Sequence, residues 1–188
     1  MPRKTGSNTV QPIRDKEKIQ AVKKYLLKKS QRDHFLFHMG INIGIRISDL
    51  IQLKVCDVKG KRFTYVKEQK TGNKKKITIN PSLRDAIEDY IDLMELESND
   101  WLFPSRKGDK HITRVQAYRI LNDAAKHVGL EEIGTHSLRK TFGYHYYQKT
   151  KDVAMLQEIF GHSAPSITLR YIGINDEMIG ESLEDFVL

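Results

Sequence analysis

Between positions 136 and 171 the chain gathers an arginine, two histidines and a tyrosine into three short clusters: His136-Ser137-Leu138-Arg139, Gly161-His162-Ser163 and Leu169-Arg170-Tyr171. Together these side-chain types can transfer a phosphoryl group onto a tyrosine oxygen without a metal. A guanidinium holds phosphate oxygens by directed hydrogen bonds, an imidazole takes the phenolic proton, and the tyrosine oxygen attacks. If Thr135 caps a helix, His136 and Arg139 project from one face near its start, where the helix dipole favours an anion. Gly161 reads as the stop of a preceding helix, which leaves His162 in a turn free to face a cleft. Ser163 and Pro165 read as the opening of a short helix that carries Tyr171.

A second arginine stands upstream, in Gly44-Ile45-Arg46-Ile47-Ser48-Asp49-Leu50. An arginine set among isoleucines needs a fixed anionic partner or ligand. Asp49 can be that partner, or can orient Arg46 toward a phosphate. Ser48 is the expected N-cap of a helix over residues 49–54.

The elements that must position these groups can be read from periodicity. With 188 residues and 39% hydrophobic content the chain can bury one good core. Residues 1–13 are basic and polar, and read as a flexible arm ahead of a single domain over residues 14–188. Helices are predicted over residues 15–29, with Ile19, Val22, Leu26 and Leu27 inward, and from Ser30 through Met39. The period then turns to alternation: Phe63 and Tyr65, then Ile77 and Ile79, mark two strands around a Thr71-Gly72-Asn73 turn. Arg62, Lys70, Lys74, Lys75 and Lys76 crowd this hairpin, as edge-protecting cations or as contacts to a DNA backbone. Ser82 is expected to cap an amphipathic helix through Met94. Trp101-Leu102-Phe103-Pro104 reads as an extended piece docked on the core. Thr113 is expected to cap a helix with Val115, Tyr118, Leu121, Ala125 and Val128 inward, leaving Arg114 and Arg119 for a phosphate backbone. Helices follow over residues 136–148 and 152–160. Tyr144, Tyr146 and Tyr147 fall inside the first of these and read as packing residues. Residues 174–187 form an amphipathic segment that either folds back or enters a neighbouring subunit. The fold class is α+β, mainly α-helical, with one small antiparallel sheet.

The formal net charge of +8 favours a polyanionic partner, nucleic acid before membrane. The single cysteine, Cys56, excludes an internal disulfide, fits a reducing cytoplasm and reads as a small buried side chain. The most apolar run, residues 35–45, is too short to span a bilayer and is broken by His38 and Asn42. His34 and His38 have a metal-compatible spacing but no third ligand follows, so packing is the expected role.

Taken together, Gly44 to Leu50, Lys70-Thr71-Gly72, Leu102-Phe103-Pro104, His136-Ser137-Leu138-Arg139, Gly161-His162-Ser163 and Tyr171 resemble, in order and spacing, the tyrosine recombinases of the phage integrase family. The resemblance covers nearly the whole chain from about Asp15. It implies a helical catalytic domain acting on double-stranded DNA as a homo-oligomer, a tetramer in the synapse, with no metal or ATP. It implies an arginine pair in Arg46 and Arg139, a hairpin lysine in Lys70, histidines in His136 and His162, and Tyr171 as the nucleophile that forms a 3′-phosphotyrosyl bond. Asp49 stands where the family more often has glutamate, and Phe160 where it has leucine. The alternatives are a nicking-closing enzyme of the type IB topoisomerase kind, with the same groups, and a DNA-binding accessory protein without activity.

Overall fold

The computed structural model describes residues 10–69, 72–131, 133–174, 180, 183–184 and 187. The first two helices among the described residues are α1 (Lys16–Lys29) and α2 (Gln31–Ile43). Asp15 Oδ1 caps α1 by accepting from the Glu17 amide at 2.7 Å, and the Ser30 hydroxyl caps α2 by accepting from that of Asp33. Gly44 ends α2 in the left-handed region, at φ 68°. Two single-turn helices follow, α3 (Ile47–Leu50) and α4 (Val55–Val58). Antiparallel strands β1 (Phe63–Lys67) and β2 (Lys74–Thr78) then pair with Tyr65 opposite Lys76. Helices α5 (Pro81–Leu93), α6 (Arg114–His127), α7 (Ser137–Thr150), α8 (Val153–Phe160) and α9 (Pro165–Tyr171) follow. No described helix is long and apolar enough to cross a membrane.

Several caps differ from expectation. Ser48 lies inside α3, because the Arg46 carbonyl accepts its first bonds, from Asp49 and Leu50. The predicted helix over residues 49–54 therefore stops at Leu50, and Lys54 instead bridges Trp101. Asn80, not Ser82, caps α5, since Pro81 takes the first helical position, where no amide is needed. Thr135 does not cap α7. His136 is the residue ahead of the helix and makes no side-chain cap bond. The start of α7 is held from outside: Ser137 Oγ donates to the Gln11 carbonyl at 2.9 Å, and Thr141 Oγ1 accepts from the Ile13 amide at 2.9 Å.

Those two bonds also correct the arm. Ile13 is buried and Val10 packs on Gly134, so residues 10–13 belong to the packed domain; residues 1–9 lie outside the described residues. Thr113 does cap α6, with Gln116 returning the bond. The buried face of α6, however, is Ala117, Leu121, Ala124 and Ala125, while Val115 and Tyr118 are 58% and 45% exposed. Leu27 and Cys56 are exposed as well, against expectation; the one-turn helix α4 buries only Val55 and Val58.

Two apolar clusters form among the described residues. The larger joins α1, α2, α5 and α6 with Leu102 and Phe103 of the extended segment, all around Leu36, Met39 and Ile87. The smaller holds Leu156, Phe160, Ile172 and Ile174, with Tyr144, Tyr146 and Tyr147 of α7 packed on it. Helix α7 spans both, and the clusters of chemistry lie along the seam it makes.

Candidate active site

Arg139 stands at that seam. In the first turn of α7 and 4% exposed, it donates from Nη1 to the Gly44 carbonyl at 3.0 Å and from Nη2 to the Phe160 carbonyl at 2.9 Å. Both acceptors are carbonyls at helix ends, where the macrodipole is negative and the last C=O groups lack intrahelical partners. Its Cζ also lies 4.4 Å from the centroid of the Phe160 ring. Burial lowers its pKa, and the neighbouring Arg46 adds to this while Tyr171, Glu68 and Asp49 oppose it. A guanidinium carries five N–H donors, so bonding two carbonyls leaves others for an anion.

Arg46 enters from the turn between Gly44 and α3. Its Nη1 pairs with Glu68 Oε1 at 2.5 Å, both side chains being largely buried. The anionic partner expected for Arg46 is thus Glu68, just past β1, and not Asp49. Asp49 is buried and its Oδ1 accepts from the Gln69 amide at 3.0 Å, which anchors the end of the same hairpin strand. Sequence spacing gave no hint of Glu68, because the sheet brings it across from 22 residues away.

Arg46, Ser48, Gln69, Arg114, Thr135 and His136 line a cleft of about 340 Å³. His136 is exposed as a whole residue, with its ring partly buried. Partial burial pushes the His136 pKa down, and the positive charges of Arg114, Lys140, Arg139 and Arg46 push it further. A neutral imidazole that can accept a proton is the result.

Helices α8 and α9 complete the wall. Asp152 caps α8, and Gly161 ends it in the left-handed region at φ 66°. His162 follows in the turn, as the glycine signal implies. Its Nδ1 lies 3.0 Å from Thr168 Oγ1, and its ring centroid is 5.1 Å from that of Tyr171. Burial lowers its pKa, with Arg139, Arg46 and Lys75 adding to the effect. Pro165 opens α9 at its first position and Tyr171 is its last residue; the N-cap is Ala164 and not Ser163. Tyr171 is half-buried, packed edge-on against Phe160 at 5.4 Å, with Lys140 Nζ 5.2 Å from its ring centroid. Burial raises its pKa, while Arg139, Arg46 and a hydrogen bond from Arg139 draw it back down.

Of the sequence-predicted residues, Arg46, His136, Arg139, His162 and Tyr171 share one electrostatic neighbourhood. Lys70 lies outside the described residues. Arg62, Lys74 and Lys76 are exposed on the hairpin, where Lys74 and Lys76 lie over the rings of Tyr65 and Phe63. Arg119 is exposed on α6. Lys75 does not join that outer surface: it points inward, and its ammonium bonds the Ile159 carbonyl. Glu68, Thr168 and Lys140 belong to the same neighbourhood and carried no signal in the sequence, since each acts through a tertiary contact. His34 and His38 stack on each other at 6.2 Å, and no group of three metal-ligating side chains occurs among the described residues.

The geometry can be set beside known proteins. The pattern of the phage integrase family matches residues 4–178. The probable integrase/recombinase YoeC of Bacillus subtilis is 56% identical over 168 residues, covering 89% of this chain and 92% of that protein. Tyrosine recombinase XerC of Staphylococcus epidermidis is 32% identical over 157 residues, covering 81% of this chain but 52% of XerC, so this chain spans about half of that longer relative. Among solved structures, the XerA recombinase superposes with a TM-score of 0.74 at 22% identity, over 97% of this chain and 65% of that one. A λ integrase tetramer bound to a Holliday junction superposes with a TM-score of 0.70 at 18% identity, over 92% and 51%. With a family pattern over most of its length and a close relative of nearly its own size, the chain belongs to the phage integrase family, the tyrosine recombinases.

Proposed function

We propose that the chain cleaves and rejoins double-stranded DNA at specific sites, through a 3′-phosphotyrosyl bond to Tyr171. One observation carries this reading: α7, α8, α9 and the turn before α3 bring two guanidiniums, an imidazole and a tyrosine hydroxyl to one seam. A tyrosine hydroxyl has a reference pKa of about 10 and needs a proton acceptor at neutral pH. His136, held neutral by partial burial and then by its cationic surroundings, serves as that base. The non-bridging oxygens gain charge during in-line attack, and Arg46 and Arg139 bind them; Glu68 gives up Arg46 when the phosphate arrives. His162, oriented by Thr168, donates to a phosphate oxygen. Lys70 protonates the departing 5′ oxygen. The covalent bond conserves the energy of the broken link, so a 5′-hydroxyl from a partner duplex can reseal it.

The packed domain, from residue 10 onward, is the catalytic unit in this reading. It acts in the cytoplasm as a homo-oligomer on DNA, with the segment after residue 173 exchanged between subunits. Arg114, Arg119 and the outward lysines of the hairpin hold the phosphate backbone, which fixes register and not sequence.

The test is a set of nicked suicide duplexes tiled from the DNA flanking the chain's own gene. Wild-type protein is expected to form a covalent adduct without added metal, and Tyr171→Phe to form none. An adduct that reseals only in place, never onto a second duplex, would move the assignment to a nicking-closing enzyme. Binding without an adduct on any of these duplexes would leave an accessory DNA-binding role.

A further inference from the structure

We propose that Lys75 is a positioning residue for this reaction: it ties β2 to the C-terminal end of α8 and so holds the turn that presents His162. The inference rests on the recombinase reading. Strand alternation turns Phe63, Tyr65, Lys74 and Lys76 outward, and Thr64, Val66, Lys75 and Ile77 inward. A lysine on an inward face must find acceptors for its ammonium. Lys75 Nζ finds them in the Ile159 carbonyl and, at 3.5 Å, that of Glu158. These are carbonyls of the last turn of α8, where the helix dipole is negative. The next carbonyl, that of Phe160, is the one Arg139 Nη2 holds.

Two cations from different elements therefore hold consecutive carbonyls of one helix end. The chain then turns through Gly161, where an added Cβ would lie 3.9 Å from Lys75 Nζ, and arrives at His162. The same hairpin reaches Arg46 through Glu68. It thus contacts both guanidinium-bearing sides of the seam, by a carboxylate at one point and an ammonium at the other. A lysine that served only sheet stability would need no bond to the helix preceding His162.

The comparison is between wild type, Lys75→Met, which keeps the stem but loses the donor, and Lys75→Arg, which keeps a donor. Single-turnover adduct formation on a suicide duplex and DNA affinity are measured together. His162 is titrated by NMR in the DNA-free protein, where the groups facing it are Arg139, Arg46, Lys75, Thr168 and Tyr171. Lys75→Met is expected to slow adduct formation by up to about 100-fold, the scale of a small misplacement of a reacting group, with DNA affinity little changed. The His162 pKa is expected to rise, because a neighbouring positive charge is gone, and Lys75→Arg to recover most of the rate. Wild-type adduct rate and wild-type His162 titration in Lys75→Met would overturn the proposal while leaving the recombinase reading intact. If wild type itself makes no adduct, that reading falls, and an unchanged His162 titration would sink the Lys75 role separately. Should Lys75→Met fail to fold, Lys75→Gln, which removes the charge and is one atom too short to keep the bond to the Ile159 carbonyl, carries the same comparison.

Discussion

Arg139 carries two duties on one guanidinium. It closes the end of α2 at Gly44 and the end of α8 at Phe160, and it faces the Tyr171 hydroxyl. A lysine has a single ammonium on a flexible stem and cannot hold two carbonyls in opposite elements while also presenting an edge to a phosphate. Arg139→Lys is therefore expected to lower the single-turnover cleavage rate by about 10²–10³, the loss typical of one preorganised donor at a developing charge. The same change should lower stability by about 1–3 kcal/mol, since a buried carbonyl is left without its donor. Quench-flow cleavage and urea unfolding would measure the two losses separately. Arg46 differs in kind, because its partner is the Glu68 carboxylate and not backbone, so an incoming phosphate must compete for it.

At the scale of elements, the site depends on how closely α7 lies against α8 and the end of α9. Gly143 permits that approach: a Cβ there would come within 2.7 Å of Phe160 ring atoms and of Ile172 Cγ2. Neither neighbour can easily yield, since both are fully buried in the smaller apolar cluster. Gly143→Ala is expected to cost about 1–3 kcal/mol by overpacking, despite the better helix propensity of alanine. Because Phe160 supplies a carbonyl to Arg139 and a T-shaped ring contact to Tyr171, cleavage should fall as well. Thermal unfolding alongside the adduct assay checks this; unchanged melting with full activity would show that the helices have room to separate.

For the molecule as a whole, stability should depend on pH through a histidine outside the candidate site. His38 lies on α2 with its pKa lowered to about 4, mainly by burial and then by the charges of Lys23 and His34. Its unfolded value is near the ordinary 6.5, so between these pH values the unfolded chain binds more protons than the folded one. The sign follows: stability is highest above about pH 6.5 and declines as pH falls toward 4. His38→Gln should flatten this part of the curve, read as urea midpoints across the range. His34, lowered for the same reasons, adds to the same slope.

Much of this architecture was written locally. Asp15, Ser30 and Thr113 cap their helices as side-chain chemistry demands, Gly44 and Gly161 stop theirs, and the alternation of Phe63 to Lys67 makes a strand. The order and spacing of the Arg46, His136-to-Arg139, Gly161-His162 and Tyr171 segments were enough to indicate the family. Contacts that close over long sequence separations were not legible. Residues 10–13 look like a polar tail until Thr141 and Ser137 bind their backbone, and Val115 and Tyr118 look inward until alanines prove to make the tighter helix contact. Lys75 reads as one more cation on a basic hairpin until it turns inward to the end of α8, and Glu68 carries no signal until it meets Arg46. Side-chain type and spacing determine which groups are available for phosphoryl chemistry and which elements carry them. Only the packing of the hairpin against α8 and the turn before α3 decided which charge answers which, because electrostatic partnership depends on distance in space and not along the chain.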